Sequence, residues 1–116
     1  MEQGSAGRGD MQLAARLRRL PEVEVLGLRV RAAIDPLSRL LGLAGLREEL
    51  AGAGLLLPRC RSIHTLGMRF PIDVAFLGQD GCPVSVSRRV SPGRFVSDRR
   101  AVAVLEVPSR GTPNDR

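Results

Sequence analysis

Ile72-Asp73-Val74-Ala75-Phe76-Leu77, followed by Gln79-Asp80-Gly81 and then Val84 to Arg88, is the stretch whose reading decides the fold. The first run is apolar and β-prone apart from one aspartate, and Asp-Gly is a turn that joins two antiparallel strands. Outward from this hairpin, Leu55-Leu56-Leu57 is a short buried strand stopped by Pro58, and Ala101 to Val107 reads as the last strand. From Val23 the chain is also strand-like, with Leu26, Leu28, Val30 and Ala32 alternating with Gly27, Arg29 and Arg31. Helical signals are few. Asp35-Pro36 opens a helix with Asp as N-cap and Pro in the first turn, and Gly42 and Gly45 cut it short. A second helical turn is expected over Leu46 to Ala51, and Met11 to Leu20 fits a short basic amphipathic helix that docks or frays. The expected class is α+β and mainly β: a compact, barrel-like, mainly antiparallel sheet with one or two short helices.

A chain of 116 residues fits one domain, with 43% apolar and 26% charged residues. The expected organisation is a flexible N-terminus carrying the short basic helix (1–22), a single domain (23–108) and a polar tail (109–116). Trp and Tyr are absent and there are three Phe, so the core is aliphatic. All 18 basic residues are arginine, giving a net charge of +6 that attracts anions. The arginines are spread along the sequence and stacking aromatics are almost missing, which argues against a nucleic-acid module. Two cysteines make no disulfide framework, no apolar run approaches a membrane span, and residues 1–10 lack a signal-peptide core. A cytoplasmic protein is the expectation.

Chemically versatile residues gather between Cys60 and Asp73, around the only histidine, His64. The Cys60-x3-His64-x3-Met68 spacing has the look of a soft copper loop, but such a site needs a second histidine. Zinc would have to draw on Cys60, His64, Asp73 and Cys82, with no close pair to anchor it. No metal and no cofactor are therefore expected. Cys60 and His64 would lie ~13 Å apart on one extended strand, too far for a hydrogen bond unless the chain bends. The bends at Gly67 and Pro71 are expected to bring Asp73 toward His64 instead. Asp73 and Glu106 both interrupt apolar strands, and a buried carboxylate must be paired, hydrogen-bonded or raised in pKa. Arg69 and Arg94 are the expected partners.

The order of signals identifies a relationship. Arg39-x-x-Gly42-Leu43-x-Gly45 and Gly54-Leu55-Leu56-Leu57 precede Cys60-x-Ser62-Ile63-His64-Thr65-x-Gly67-Met68-Arg69-Phe70-Pro71-Ile72-Asp73. Asp80-Gly81, Pro92-Gly93-Arg94 and Leu105-Glu106 follow. Over Val23 to Gly111 the chain resembles the bacterial and archaeal family named domain of unknown function 192, in the branch with His-Thr where others carry Trp-Met. The resemblance implies a small, mostly β, barrel-like fold and no particular activity. Leu46 stands where that family usually has an arginine, which removes any salt bridge or ligand contact made there; relatives continue past Gly111 into a further strand, so a sheet edge is expected either to stay open or to pair with another chain in an oligomer.

These observations favour a non-enzymatic module that binds a small anionic ligand or a protein partner. The candidate binding residues are His64, Arg69, Asp73, Arg94 and Glu106. One alternative is a hydrolase or transferase with His64 as general base, Asp73 orienting it and Cys60 as nucleophile. Another is an accessory scaffold that docks a larger assembly through the open edge or through Leu13 and Leu17 of the basic helix.

Overall fold

The computed structural model describes residues 8–109. The expected disorder of 1–10 and the polar tail fall mostly outside them. Within them the chain is mainly β, with strands β1 (Glu22–Val25), β2 (Leu28–Ala32), β3 (Leu55–Pro58), β4 (Ser62–His64), β5 (Ile72–Leu77), β6 (Pro83–Val90), β7 (Phe95–Ser97) and β8 (Ala103–Pro108). Two helices, α1 (Arg8–Arg18) and α2 (Pro36–Leu41), and one 3₁₀ turn over Glu48–Leu50 complete it.

Six strands form one sheet in the order β1-β2-β3-β8-β5-β6, and β4 and β7 pair separately. The large sheet is not closed, because β1 and β6 remain at its two edges. Its pairing is antiparallel except between β2 and β3, which run parallel with α2 in their connection. The last strand, β8, lies in the middle, flanked by β3 and β5. The expected hairpin is present as β5 and β6, with bulges after Ile72 and after Phe76.

Two local expectations change. The run from Val23 to Ala32 is a hairpin rather than one strand, since Leu26 and Gly27 both take positive φ and turn the chain. Both turn residues fit the apolar alternation, which hid the break. Phe95–Ser97 is a strand that periodicity did not mark, three residues long and held only by β4.

Strand alternation sends side chains of the large sheet to two faces. Leu55 and Leu57 of β3, Ile72, Val74 and Phe76 of β5 and Val104 of β8 enter the main core with Leu43, Leu46 and Phe70. The other face gathers Val30, Leu77 and Leu105, with Val23, Leu56 and Val107 against them. Helix α1 rests on the main core, where Ala14 is buried and Leu17 packs against it. Asp35 caps α2 as expected, its carboxylate accepting from the Ser38 N–H at 2.8 Å, which holds the Asp35 pKa below its usual range.

Candidate functional site

Glu106 sits at the centre of the sheet, in register with Leu55 on one side and Val74 on the other. It shares their face, so its side chain enters the main core and is only 3% exposed. The neighbouring chain is shaped around it. Helix α2 ends at Gly42 with φ 55° and ψ −127°, and a Cβ there would stand 2.8 Å from Glu106 Oε1. A Cβ on Gly54 would meet the Glu106 carbonyl oxygen at 2.6 Å. Only glycine allows both approaches.

Burial lifts the Glu106 pKa to about 7; a hydrogen bond from the Leu43 backbone N–H opposes the shift without cancelling it. Oε1 is buried without a hydrogen-bond partner among the described residues. The arginine network expected at the buried carboxylates is not built here. Arg39 lines the same cavity as Glu106, yet its guanidinium donates to the carbonyls of Pro58 and Arg59.

A cavity of about 210 Å³ lies against this carboxyl, lined by Arg39, Gly42, Leu57, Ser62, His64 and Glu106 among others. His64 is delivered by β4 and fixed at both ring nitrogens. Nδ1 lies 3.2 Å from the Leu66 N–H and must accept from it. Nε2 therefore carries the proton and donates to the Leu40 carbonyl at 3.0 Å. Phe95 packs tilted against the ring, with centroids 6.1 Å apart. Phe95, Leu40 and Leu66, all tied to His64 by these contacts, are exposed.

The structure brings His64 and Glu106 to one cavity and leaves the other candidates outside it. Asp73 follows the alternation of β5, pairs with Val107 and so lies on the opposite face from Glu106. There its carboxylate accepts from the Arg89 N–H at 2.8 Å across the bulge, with Arg88 at 3.8 Å. The bends at Gly67 and Pro71 thus do not carry Asp73 to His64, and the His64–Asp73 pair of a general base is not formed. Arg69 donates to the Gly45 carbonyl at 3.2 Å. Cys60 points its thiol at the Ser62 carbonyl, 3.2 Å away, and Cys82 is exposed, so neither pairs with the other.

Arg94 matters through its backbone, and the residue that uses it, Thr65, escaped the sequence reading. Thr65 is fully buried. Its hydroxyl donates to the Ser91 carbonyl at 2.7 Å and accepts from the Arg94 N–H at 2.8 Å. Its carbonyl accepts from the N–H groups of Gly93 and Met68, and its own N–H reaches the Arg94 carbonyl. Thr65 thereby ties the Pro92-Gly93-Arg94 loop to the residue after His64. The only signal in the sequence was the adjacency of His and Thr. Among the described residues no cluster of three or more His, Cys, Asp or Glu is placed to hold a metal ion, and no helix is long and apolar enough to cross a membrane.

Two solved structures share the fold. A candidate transcription regulator from Sinorhizobium meliloti is 22% identical, aligned over 76% of this chain and 78% of its own, with a TM-score of 0.63. A protein of unknown function from Novosphingobium aromaticivorans is 16% identical over 91% of this chain and 89% of its own, with a TM-score of 0.56. No curated protein matches the chain. The family profile described as "Uncharacterized ACR" matches residues 21–113, which span every strand described above. The chain belongs to the domain of unknown function 192 family.

Proposed function

We propose that this domain binds a small polar ligand in the cavity between α2, β4 and β8, with Glu106 as the recognising group. The unpartnered Glu106 Oε1 against that cavity carries the reading, because a buried acceptor with no donor costs free energy that a ligand donor would recover. The volume of about 210 Å³ is below the ~300–1,000 Å³ of drug-sized sites, so the ligand is small. Its chemistry follows from the walls. A hydroxyl, amide or amine would donate to Glu106, and an apolar part would rest on Leu57 or Leu40 of the lining, or on Leu66 and Phe95, exposed beside His64. A carboxylate facing the cavity repels anions, so an anionic ligand suits this cavity less well than a neutral or cationic one.

His64 positions the rim in this reading, and the general-base role is not supported, since both its nitrogens are engaged and Asp73 is remote. The same exposed rim favours a second reading, in which a partner protein inserts a donor-bearing side chain into the cavity.

A thermal-shift screen of small amines, amides and polyols tests the first reading. A hit should raise the melting temperature of the wild type and lose its effect in Glu106→Gln. It should also act more strongly at pH ~8, with the carboxylate ionised, than at pH ~6. Hits that stabilise Glu106→Gln as well as the wild type would refute it.

A further inference from the structure

Four of the arginines that look scattered in the sequence come together in the fold. Arg59 and Arg61, on the turn from β3 to β4, line one cleft of about 370 Å³ with Arg99 and Arg100 from the turn between β7 and β8. Cys60 also lines this cleft. It is separate from the cavity of Glu106 and shares no lining residue with it.

Its walls are tied together through the backbone. The Cys60 N–H donates to the Val102 carbonyl at 3.2 Å, the Asp98 N–H to the Arg61 carbonyl at 2.9 Å, and the Ala101 N–H to the Asp98 carbonyl at 3.1 Å. Arg39 binds the Arg59 carbonyl from behind, and Arg59 holds a left-handed conformation at φ 49°. Such a conformation costs a non-glycine residue free energy, and the surrounding bonds hold it in place.

The charge is left uncompensated. Asp98 is the nearby acid, and its carboxylate is spent on Arg100, at 2.8 and 3.1 Å, and on the Ser85 hydroxyl at 2.6 Å. Arg59, Arg61 and Arg99 have no ion pair or side-chain hydrogen bond among the described residues. A solvated basic surface would be ordinary if the arginines were dispersed. Three exposed guanidinium groups without an ion pair share one braced cleft, and guanidinium forks match the paired oxygens of phosphate.

We propose that this cleft binds the phosphate group of a small phosphorylated molecule, with Arg59, Arg61 and Arg99 as its ligands. Its volume suits a compact metabolite, and the scarcity of stacking aromatics disfavours a nucleic-acid strand.

Inorganic pyrophosphate is the probe, titrated calorimetrically into the full chain at about 150 mM NaCl, where weak surface attraction is screened. The wild type should bind it saturably. Arg61→Gln with Arg99→Gln should weaken binding at least about tenfold, while Arg29→Gln, in the exposed pair with Glu22, should bind as the wild type does. Bound pyrophosphate should also slow alkylation of Cys60 by iodoacetamide and leave the exposed Cys82 unaffected. This second readout needs no variant, so it decides the matter even if the double substitution fails to fold. No saturable binding at millimolar pyrophosphate, or equal protection of both thiols, would overturn the proposal. So would a short DNA duplex that binds more tightly and is not displaced by pyrophosphate.

Discussion

Taking the Glu106 carboxyl out of water makes this chain's stability depend on pH in the direction opposite to that of a salt-bridged acid. Its pKa rises from 4.5 to about 7, so between those values the folded chain keeps a proton that the unfolded chain has released. Stability is therefore highest below pH 4.5 as far as this group is concerned, falls as pH climbs through about 7, and is flat beyond. The fall amounts to about 3 kcal/mol. Glu106→Gln keeps an acceptor for the Leu43 N–H and has no proton to lose. Urea unfolding at pH ~5 and ~8 should show the wild type losing stability and the variant losing almost none from this position. Gly42→Ala acts on the same carboxyl from the other side. It places a methyl 2.8 Å from Oε1 at a backbone conformation that suits glycine, and denaturant unfolding should show a loss of about 2 kcal/mol or more. Glu106 was legible as an anomaly because it breaks an apolar strand. Asp73 breaks one in the same way, and sequence could not tell the two apart. What separates them is the face each side chain takes once β8 is known to lie beside β5, and that adjacency is not written in either strand.

Among the elements, the small β4–β7 pair depends on one hydroxyl. Three residue pairs join these strands, and Thr65 then gathers Ser91, Gly93 and Arg94 around itself. Thr65→Val keeps the shape, removes the donor to Ser91 and strands the Arg94 N–H. It should cost about 2 kcal/mol and speed amide exchange at Arg94, whereas Thr65→Ser should retain most of the stability. The β5–β6 hairpin was readable because its apolar residues end sharply at Asp80-Gly81. The β1–β2 hairpin was not, because Leu26 supplies an apolar residue at φ 52°, where Asn or Gly would have announced the turn. Strand β7 is too short for any periodicity to register.

For the whole molecule, the class was readable and the strand order was not. Short strands between Gly and Pro turns point to a mainly β chain, while the order β1-β2-β3-β8-β5-β6 arises from contacts far apart along the sequence. The parallel step from β2 to β3 is also invisible locally, since it is a property of the crossover through α2 and not of either strand. The arginine cleft was missed for the same reason: two turns that are distant along the chain become neighbours only through the β4–β7 and β3–β8 pairings.

That insertion sets a timetable. During synthesis β3 and β5 emerge well before the strand that must stand between them, and until then each leaves a row of backbone N–H and C=O groups without its eventual partner. The nascent chain can form its two hairpins early, but the sheet cannot be joined until Ala103–Pro108 has left the ribosome. A chain ended at Asp98 should therefore show no cooperative unfolding transition and be cut rapidly by protease, despite keeping seven of the eight strands among the described residues. Without Ala103–Pro108 the facing edges of β3 and β5 both stay open, and this one strand covers the two at once.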